Sequence, residues 1–357
     1  MQRLGPYELI DVVGQGGMGR VWRARDTRYE RIVALKVIAE DKATNSDYMT
    51  MFRREAELVG RLNSPHIIPI HNYGEIDDQA YLDMRFVPGQ ALSRLVRSRG
   101  PADVATALHI VGQAASALDD AHAGGVVHRD VKPANLLVTG KGFVYLADFG
   151  IAVVEGSKPP EGEQILGSWG YMAPERFENL PQDTACDVYG LACVLHYALT
   201  GAPPYAGKGL DELRDAHRHA CPPQLAGRVP QVTPQMDEVI AWALAKHPDD
   251  RPRSATEWVT QLDRARRHHA GSATGAGSTP APKRHETRAP RTGSAAAGAR
   301  TTGARPPGSG TPTSRRGAAP SPGRPSTPSD VLSPTLIAVL AVLAIVVGAL
   351  AALVASR

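Results

Sequence analysis

Along residues 7–87, apolar and polar side chains alternate in short runs: "YELIDVVG", "RVWRAR" and "IVALKVI". Alternation of this kind is the mark of half-buried strands. One stretch of helical period follows at about Ser46–Leu62, then two more strand-like runs around Ile68–Asn72 and Ala80–Met84. From about Ala91 the period becomes helical, as in "ADVATALHIVGQAASALDDAHAGG" and "ACDVYGLACVLHYALTG". The pattern predicts an α+β chain with a small β-rich lobe at 7–87 and a larger helical lobe at 88–267. No repeat of 20–50 residues interrupts it.

Residues 268–334 read differently. They are Gly, Ala, Ser, Thr, Pro and Arg with almost no large apolar side chains. Such a segment cannot bury enough surface to offset the entropy of ordering, so a disordered linker is expected, stiffened in part by Pro. Leu336 to Ala355 then runs twenty residues without a charged or strongly polar side chain. As a helix this spans ~30 Å, the hydrocarbon thickness of a bilayer. A buried core helix is the alternative, but nothing nearby in the sequence would cover it. The expectation is a single transmembrane helix over 335–355 in the cell membrane. Arginines on its N-terminal side put residues 1–335 in the cytoplasm and the C-terminus outside. Only Ser356 and Arg357 follow, so no extracellular sensor domain is expected. Ala341, Ala344, Gly348, Ala351 and Ala355 form a small-residue stripe that permits a homodimer within the membrane. The basic linker can also lie against anionic lipid.

Charge follows the same division. The chain of 357 residues has a formal charge of +4, yet residues 271–331 hold nine Lys/Arg against two acids, leaving 1–270 at −4. The basic balance belongs to a tail without aromatic interleaving or fold, so a nucleic-acid partner is not expected. Three cysteines (Cys186, Cys193, Cys221) with no paired spacing exclude a disulfide scaffold and a Cys-based zinc site. The first twenty residues have no apolar core and therefore no secretory signal.

Two clusters carry chemistry. In the first, Val13-Gly14-Gln15-Gly16-Gly17-Met18-Gly19-Arg20-Val21 sits between strand-like runs on both sides, unlike a glycine turn that opens a helix. A glycine flap between two strands can lower backbone N–H groups onto phosphates. Seventeen residues past Gly19, Lys36 ends the run Val33-Ala34-Leu35-Lys36. On a strand under the flap it is a fixed cation for phosphate oxygens, and Glu55 on the next helix is its expected partner. Either residue alone would read as an exposed charge. In the second cluster, "VVHRDVKPANLLV", Asp130 can accept a hydroxyl proton, Lys132 can neutralise a transferring phosphoryl group, and Asn135 can hold a metal. Asp148, eighteen residues after Asp130 and at the end of the apolar run "FVYLA", is suited to chelating Mg²⁺.

These motifs, with Ala173-Pro174-Glu175 and Asp187-x-x-Gly190, stand in an order and spacing that resembles the protein-kinase superfamily. Within it the chain is similar to the membrane-anchored, eukaryotic-type (Hanks-type) serine/threonine kinases of bacteria. The resemblance covers about residues 7–265. It implies the two-lobe protein-kinase fold, a small β-rich N-lobe on a larger α-helical C-lobe. It further implies ATP with Mg²⁺ (or Mn²⁺) between the lobes, and phosphoryl transfer to Ser/Thr hydroxyls of protein substrates, with autophosphorylation. By the same resemblance Met84 is the gatekeeper, the Arg85 carbonyl and Val87 amide pair with adenine, and Val21, Ala34 and Leu137 sandwich its ring. Asp130, Lys132, Lys36 and Glu55 become the catalytic set, with Asn135 and Asp148 the metal ligands. Lys132, two after Asp130, matches the serine/threonine form of the loop. A pseudokinase scaffold is the alternative, but it requires a missing lysine, base or metal ligand, and all are present.

One segment departs from the family. Between Asp148 and Glu175 there is no threonine; only Ser157, Ser168 and Tyr171 can take a phosphate. Arg129 would then be met by an acid among Glu155, Glu161 and Glu163, or by phosphorylated Ser157, unless those acids are a solvated loop face. Glu175 and Arg251 are expected to form a buried ion pair, His128 to orient the catalytic loop, Asp187 to accept its backbone N–H groups, and Cys186 and Cys193 to be core. His66 and His71 lack metal partners at suitable spacing.

Overall fold

A computed structural model describes residues 2–16, 19–39, 46–149, 169–178, 180–207 and 209–274. The strand-like runs of the first lobe form a six-stranded antiparallel sheet in the order β1-β2-β3-β4-β6-β5. Its strands are β1 (Arg3–Leu4), β2 (Tyr7–Gly16), β3 (Gly19–Asp26), β4 (Arg31–Ile38), β5 (Ile70–Ile76) and β6 (Gln79–Arg85). Period-2 alternation gives the sheet two apolar faces. Tyr7, Leu9, Ala24, Val33, Leu35 and Tyr81 pack together beneath Leu4. On the other face Ile38, Ala80, Leu82 and Met84 meet Met49, Phe52, Ala56 and Val59 of helix α1 (Ser46–Gly60). β5 starts later than its apolar run suggests. Pro69 has no N–H for the ladder, and the preceding Ile67 and Ile68 turn to Leu146, with Ile68 N–H donating to its carbonyl at 3.3 Å.

The second lobe is built on helices. α2 (Leu92–Arg99) leads to α3 (Val104–Ala123), whose Asp103 cap accepts from Thr106 N–H at 2.9 Å. A short α4 (Pro174–Phe177) precedes α5 (Thr184–Thr200), then come α6 (Leu210–His219), α7 (Pro234–Ala243) and α8 (Ala255–Thr274). α5 is buried on nearly every side, Cys186 and Cys193 included, and forms the centre of this lobe. Asp119 of α3 caps α8 from a distance, accepting from Ala255 N–H at 2.9 Å and Thr256 N–H at 3.0 Å. A three-stranded sheet, β7 (Gly89–Ala91), β8 (Leu136–Thr139) and β9 (Val144–Leu146), lies where the lobes join.

The last helix runs past the expected boundary at 268. α8 continues to Thr274, where no proline stops it before Pro280 and Asp263 pairs with both Arg266 and Arg267 one turn on. Among the described residues no helix is long and apolar enough to cross a membrane. The apolar run 336–355, most of the expected linker, Gly17, Met18, and Glu155, Ser157, Glu161, Glu163 and Ser168 lie outside the described residues.

Candidate active site

The sheet fixes one wall of the site. β3 and β4 pair so that Val21 stands opposite Lys36, and β4 pairs with β6 so that Ala34 stands opposite Met84. Gly19 makes this closeness possible: it has φ +133, and a Cβ there would sit 2.0 Å from the Val37 carbonyl oxygen. Val13 on β2 is half exposed and Met84 is buried. Past Met84 the chain runs extended. Arg85 N–H donates to the Pro69 carbonyl at 3.0 Å and Gly89 N–H to that of Val87 at 2.9 Å, which holds the hinge. Leu137 lies on β8, opposite Ala91 and Tyr145.

The loop between α3 and β8 supplies the other wall. Lys132 Nζ is 2.6 Å from Asp130 Oδ2. Asn135, in a 3-10 turn started by Pro133, donates through Nδ2 to the Asp130 carbonyl at 2.8 Å and to Asp130 Oδ2 at 3.1 Å. Its amide hydrogens are thus directed to Asp130, and the group it can offer a metal is its carbonyl oxygen. Ala147 N–H donates to the Asn135 carbonyl at 2.9 Å, which ties the segment bearing Asp148 to the same loop. Arg129 (φ 64) and Asp148 (φ 53) both adopt the left-handed region, strained for these side chains.

Asp187, near the start of α5, overdetermines that strain. It accepts from His128 N–H at 2.8 Å and Arg129 N–H at 2.7 Å, and His122 Nε2 lies 2.8 Å away. Burial pushes its carboxyl up, but the bond from His122, the charges of His128 and His122 and the backbone donor outweigh it and hold Asp187 below the usual carboxylate range. His128 is fully buried, contacts the Ala147 carbonyl through Nε2 at 3.0 Å, receives Asp130 N–H on Nδ1 at 3.1 Å, and lies against the Phe149 ring. Burial drives its imidazole below the ordinary value, and its contacts with the Ala147 carbonyl and Asp130 N–H make it a brace for the loop. Behind the loop, Arg251 holds Glu175 by two bonds of 2.7 and 2.8 Å.

One expected contact is not made. Lys36 Nζ lies 2.9 Å from Asp148 Oδ1, while Glu55 stands 3.6 Å from Arg129 Nη1. The expected Lys36–Glu55 pair is corrected to Lys36–Asp148 and Arg129–Glu55. Asp148 projects from the loop directly facing β4, so it is the carboxylate that Lys36 meets. Glu55 on α1 faces the catalytic loop instead. Burial raises the Asp148 carboxyl, but Lys36, by charge and hydrogen bond, brings it below its ordinary value. His66 and His71 are structural: His66 Nδ1 contacts the Val144 carbonyl at 2.9 Å and His71 Nδ1 lies 3.1 Å from buried Asp83.

Asp148 and Asn135 suit a hard cation. Among the described residues no group of three or more His, Cys, Asp or Glu could hold a metal, so one carboxylate and one amide oxygen would need phosphate oxygens to complete a shell. His122, and Arg176, whose guanidinium donates to the Arg129 carbonyl, were not singled out by the sequence. Each stands at a helix end, where cations complement exposed carbonyls.

A β-rich lobe joins a helical lobe, and Lys36, Asp130, Asn135 and Asp148 come from the strands and loops where the two meet. Residues 7–262 match the protein kinase domain family, and the chain belongs to that family, as a bacterial Hanks-type member. It is 46% identical over 260 residues to serine/threonine-protein kinase PknD of Mycobacterium tuberculosis, covering 71% of this chain and 38% of that protein. It is 44% identical over 273 residues to PknE of Mycobacterium bovis, covering 76% of this chain and 47% of the other. Among solved structures it is similar to the kinase domain of Mycobacterium tuberculosis PknI, with a TM-score of 0.60, 31% identity, 74% of this chain covered and 98% of that one. The chain thus spans less than half the length of the curated relatives it matches.

Proposed function

We propose that this chain is an ATP-dependent serine/threonine protein kinase acting on protein substrates. The observation that carries it is the convergence of Lys36, Asp130, Lys132, Asn135 and Asp148, each within hydrogen-bond reach of another. Asp130 is aimed by Asn135 and receives the hydroxyl proton of the acceptor. Lys132, 2.6 Å from Asp130, faces the charge that develops on the transferred group and holds the carboxylate in one orientation. Lys36 binds phosphate oxygens, with residues 13–16 of β2 and 19–21 of β3 on the side of the sheet that faces them. Met84, Arg85, Val87, Ala34 and Leu137 form the adenine slot. Mg²⁺ held by Asp148 and Asn135 would withdraw charge from the phosphate oxygens. For Lys36 to meet Glu55, Lys36 must leave Asp148 and Arg129 must release Glu55.

The serine/threonine preference is supported by Lys132 and by the names of the relatives at 44–46% identity. We further propose that Leu336–Ala355 anchors the kinase to the cell membrane in a single pass, supported by its length and freedom from charge. Incubation with labelled ATP, Mg²⁺ and a generic acceptor protein tests the activity. Label is expected on serine and threonine and lost in Asp130→Asn with nucleotide binding retained; undiminished transfer by that variant would refute the assignment.

A further inference from the structure

Along the hinge, between it and the β8–β9 hairpin, lies a groove of about 400 Å³. Its walls are Phe86, Val87 and Pro88 of the hinge and Phe143 and Tyr145 of the β8–β9 hairpin, with Arg85 and Lys141 also lining it. It shares Arg85 and Val87 with the hinge, but Val21, Ala34, Lys36, Leu137 and Asp148 do not line it, so it extends along the hinge away from the residues that carry the chemistry.

The hairpin wall is preformed. Thr139 Oγ1 lies 3.1 Å from both the carbonyl and the N–H of Phe143, and Gly142, at φ +79, donates its N–H to the Thr139 carbonyl at 3.0 Å. Gln113 of α3 clamps the turn from below, accepting Val144 N–H and donating to the Gly142 carbonyl, each at 3.0 Å. The Phe143 ring stacks on His66 at 4.5 Å and meets Tyr145 at 4.8 Å. A fixed aromatic wall lowers the ordering cost of any segment laid against it. Arg85 and Lys141 are exposed, and neither forms an ion pair among the described residues. The volume suits a short segment.

Charge selects the occupant. The chain's own linker is basic, with nine Lys/Arg against two acids over 271–331, so it is repelled by the same two side chains. We propose that this groove docks an extended segment of a partner protein in which Asp or Glu neighbours large apolar side chains. The carboxylate would meet Lys141 and Arg85 while the apolar side chains cover Phe143 and Tyr145. That the partner is a substrate rests on the kinase function proposed above; the docking does not. A tethered substrate is held at high local concentration near the cleft, which lowers KM and leaves kcat alone.

A random dodecapeptide library panned on the full-length chain tests this, with Lys141→Glu, Lys141→Arg and Asp130→Asn as comparison baits. Enriched peptides are expected to combine Asp/Glu with Leu, Ile or Phe and to stay bound in excess ATP analogue. They should lose about tenfold in affinity on Lys141→Glu, recover it in Lys141→Arg, and bind Asp130→Asn as tightly as the parent. Phosphorylation of a generic acceptor should be unchanged by Lys141→Glu. No enrichment over the naive library, selection of basic peptides, or affinity indifferent to Lys141→Glu would each overturn the groove. Binding that persists in a chain found to transfer no phosphate supports the docking while refuting the enzymatic function.

Discussion

Arg251 offers the sharpest test of how the active-site scaffold is held. Its guanidinium is fully buried and donates five times: to Glu175 Oε1 and Oε2 at 2.7 and 2.8 Å, and to the carbonyls of Ala185, Ala245 and Lys246 at 3.2, 2.8 and 3.0 Å. Arg251→Met keeps much of the side-chain bulk and removes every donor. Glu175, only 4% exposed, is then a buried charge with no cation, which costs about 3–5 kcal/mol. At roughly 2–4 °C per kcal/mol for a domain of this size, the melting temperature should fall by about 6–20 °C.

The chemistry should suffer before the fold does. Glu175 anchors α4, and its neighbour Arg176 reaches the Arg129 carbonyl, so release of Glu175 loosens the loop that carries Asp130. Phosphotransfer at 25 °C is therefore expected to drop even where the variant is still folded. Thermal and urea unfolding of Arg251→Met, Glu175→Leu and the double variant form a cycle. The double variant should recover much of the loss, because an apolar pair in a buried site is no worse than an ion pair. A melting temperature within 2 °C of the parent for Arg251→Met, or strictly additive losses in the cycle, would refute the reasoning.

Other consequences are as direct. Gly19→Ala should destabilise the small lobe by more than about 1 kcal/mol, since its Cβ would strike the Val37 carbonyl, whereas Gly16→Ala has nothing within 4 Å to meet and should leave the unfolding midpoint near the parent's. Asp187→Asn removes the charge that receives His128 and Arg129 N–H groups; kcat should fall at least tenfold while nucleotide affinity, read by equilibrium binding, changes little. His217 is buried with its Nδ1 2.8 Å from the Tyr189 hydroxyl, and burial, then Lys246, push it down to about 3. The unfolded chain therefore binds a proton that the native chain refuses, so stability is intact above pH ~6.5 and declines as pH falls below it. His128 and His196 are shifted the same way by burial. Replacing His217 with Phe should remove about 1.4 kcal/mol per pH unit from that decline, measured by urea midpoints between pH 6.5 and 5; an unchanged slope would show that His217 titrates normally.

Much of this architecture was legible because chemistry demands residues at fixed spacings along one loop or strand. Asp130 and Asn135 are five apart, and one 3-10 turn brings them into contact. Period-2 alternation located β2, β3 and β4 for the same local reason. What escaped depends on groups far apart in sequence. Asp119 caps a helix 136 residues away, and no pattern around Asp119 announces it. β7 is three residues long, too short for any period to register, and exists because β8 offers it a ladder. The partner of Glu55 escaped for a different reason. Sequence gives the residue and its helix face, but the rotation and advance of α1 are set by the Met49, Phe52, Ala56 and Val59 contacts with the sheet, which are apolar and therefore non-directional.

That non-directionality bears on how the site can switch. A packed apolar face tolerates a small roll of α1, while each ion pair is specific to one geometry. In the arrangement described, Lys36, Asp148, Arg129 and Glu55 are all paired, so moving to a Lys36–Glu55 pair replaces two ion pairs with one. It leaves Asp148 and Arg129 without their present partners. Asp148 is then available to a cation and Arg129 to an anion, such as a carboxylate or phosphate of the segment that follows Asp148. Because the carboxylates are partly shielded, leaving either one alone is costly. The exchange is therefore coupled: the arrival of a cation at Asp148 and of an anion at Arg129 each favours the same motion of α1. Two ligands at two points bias one helix, and by linkage each should tighten the other.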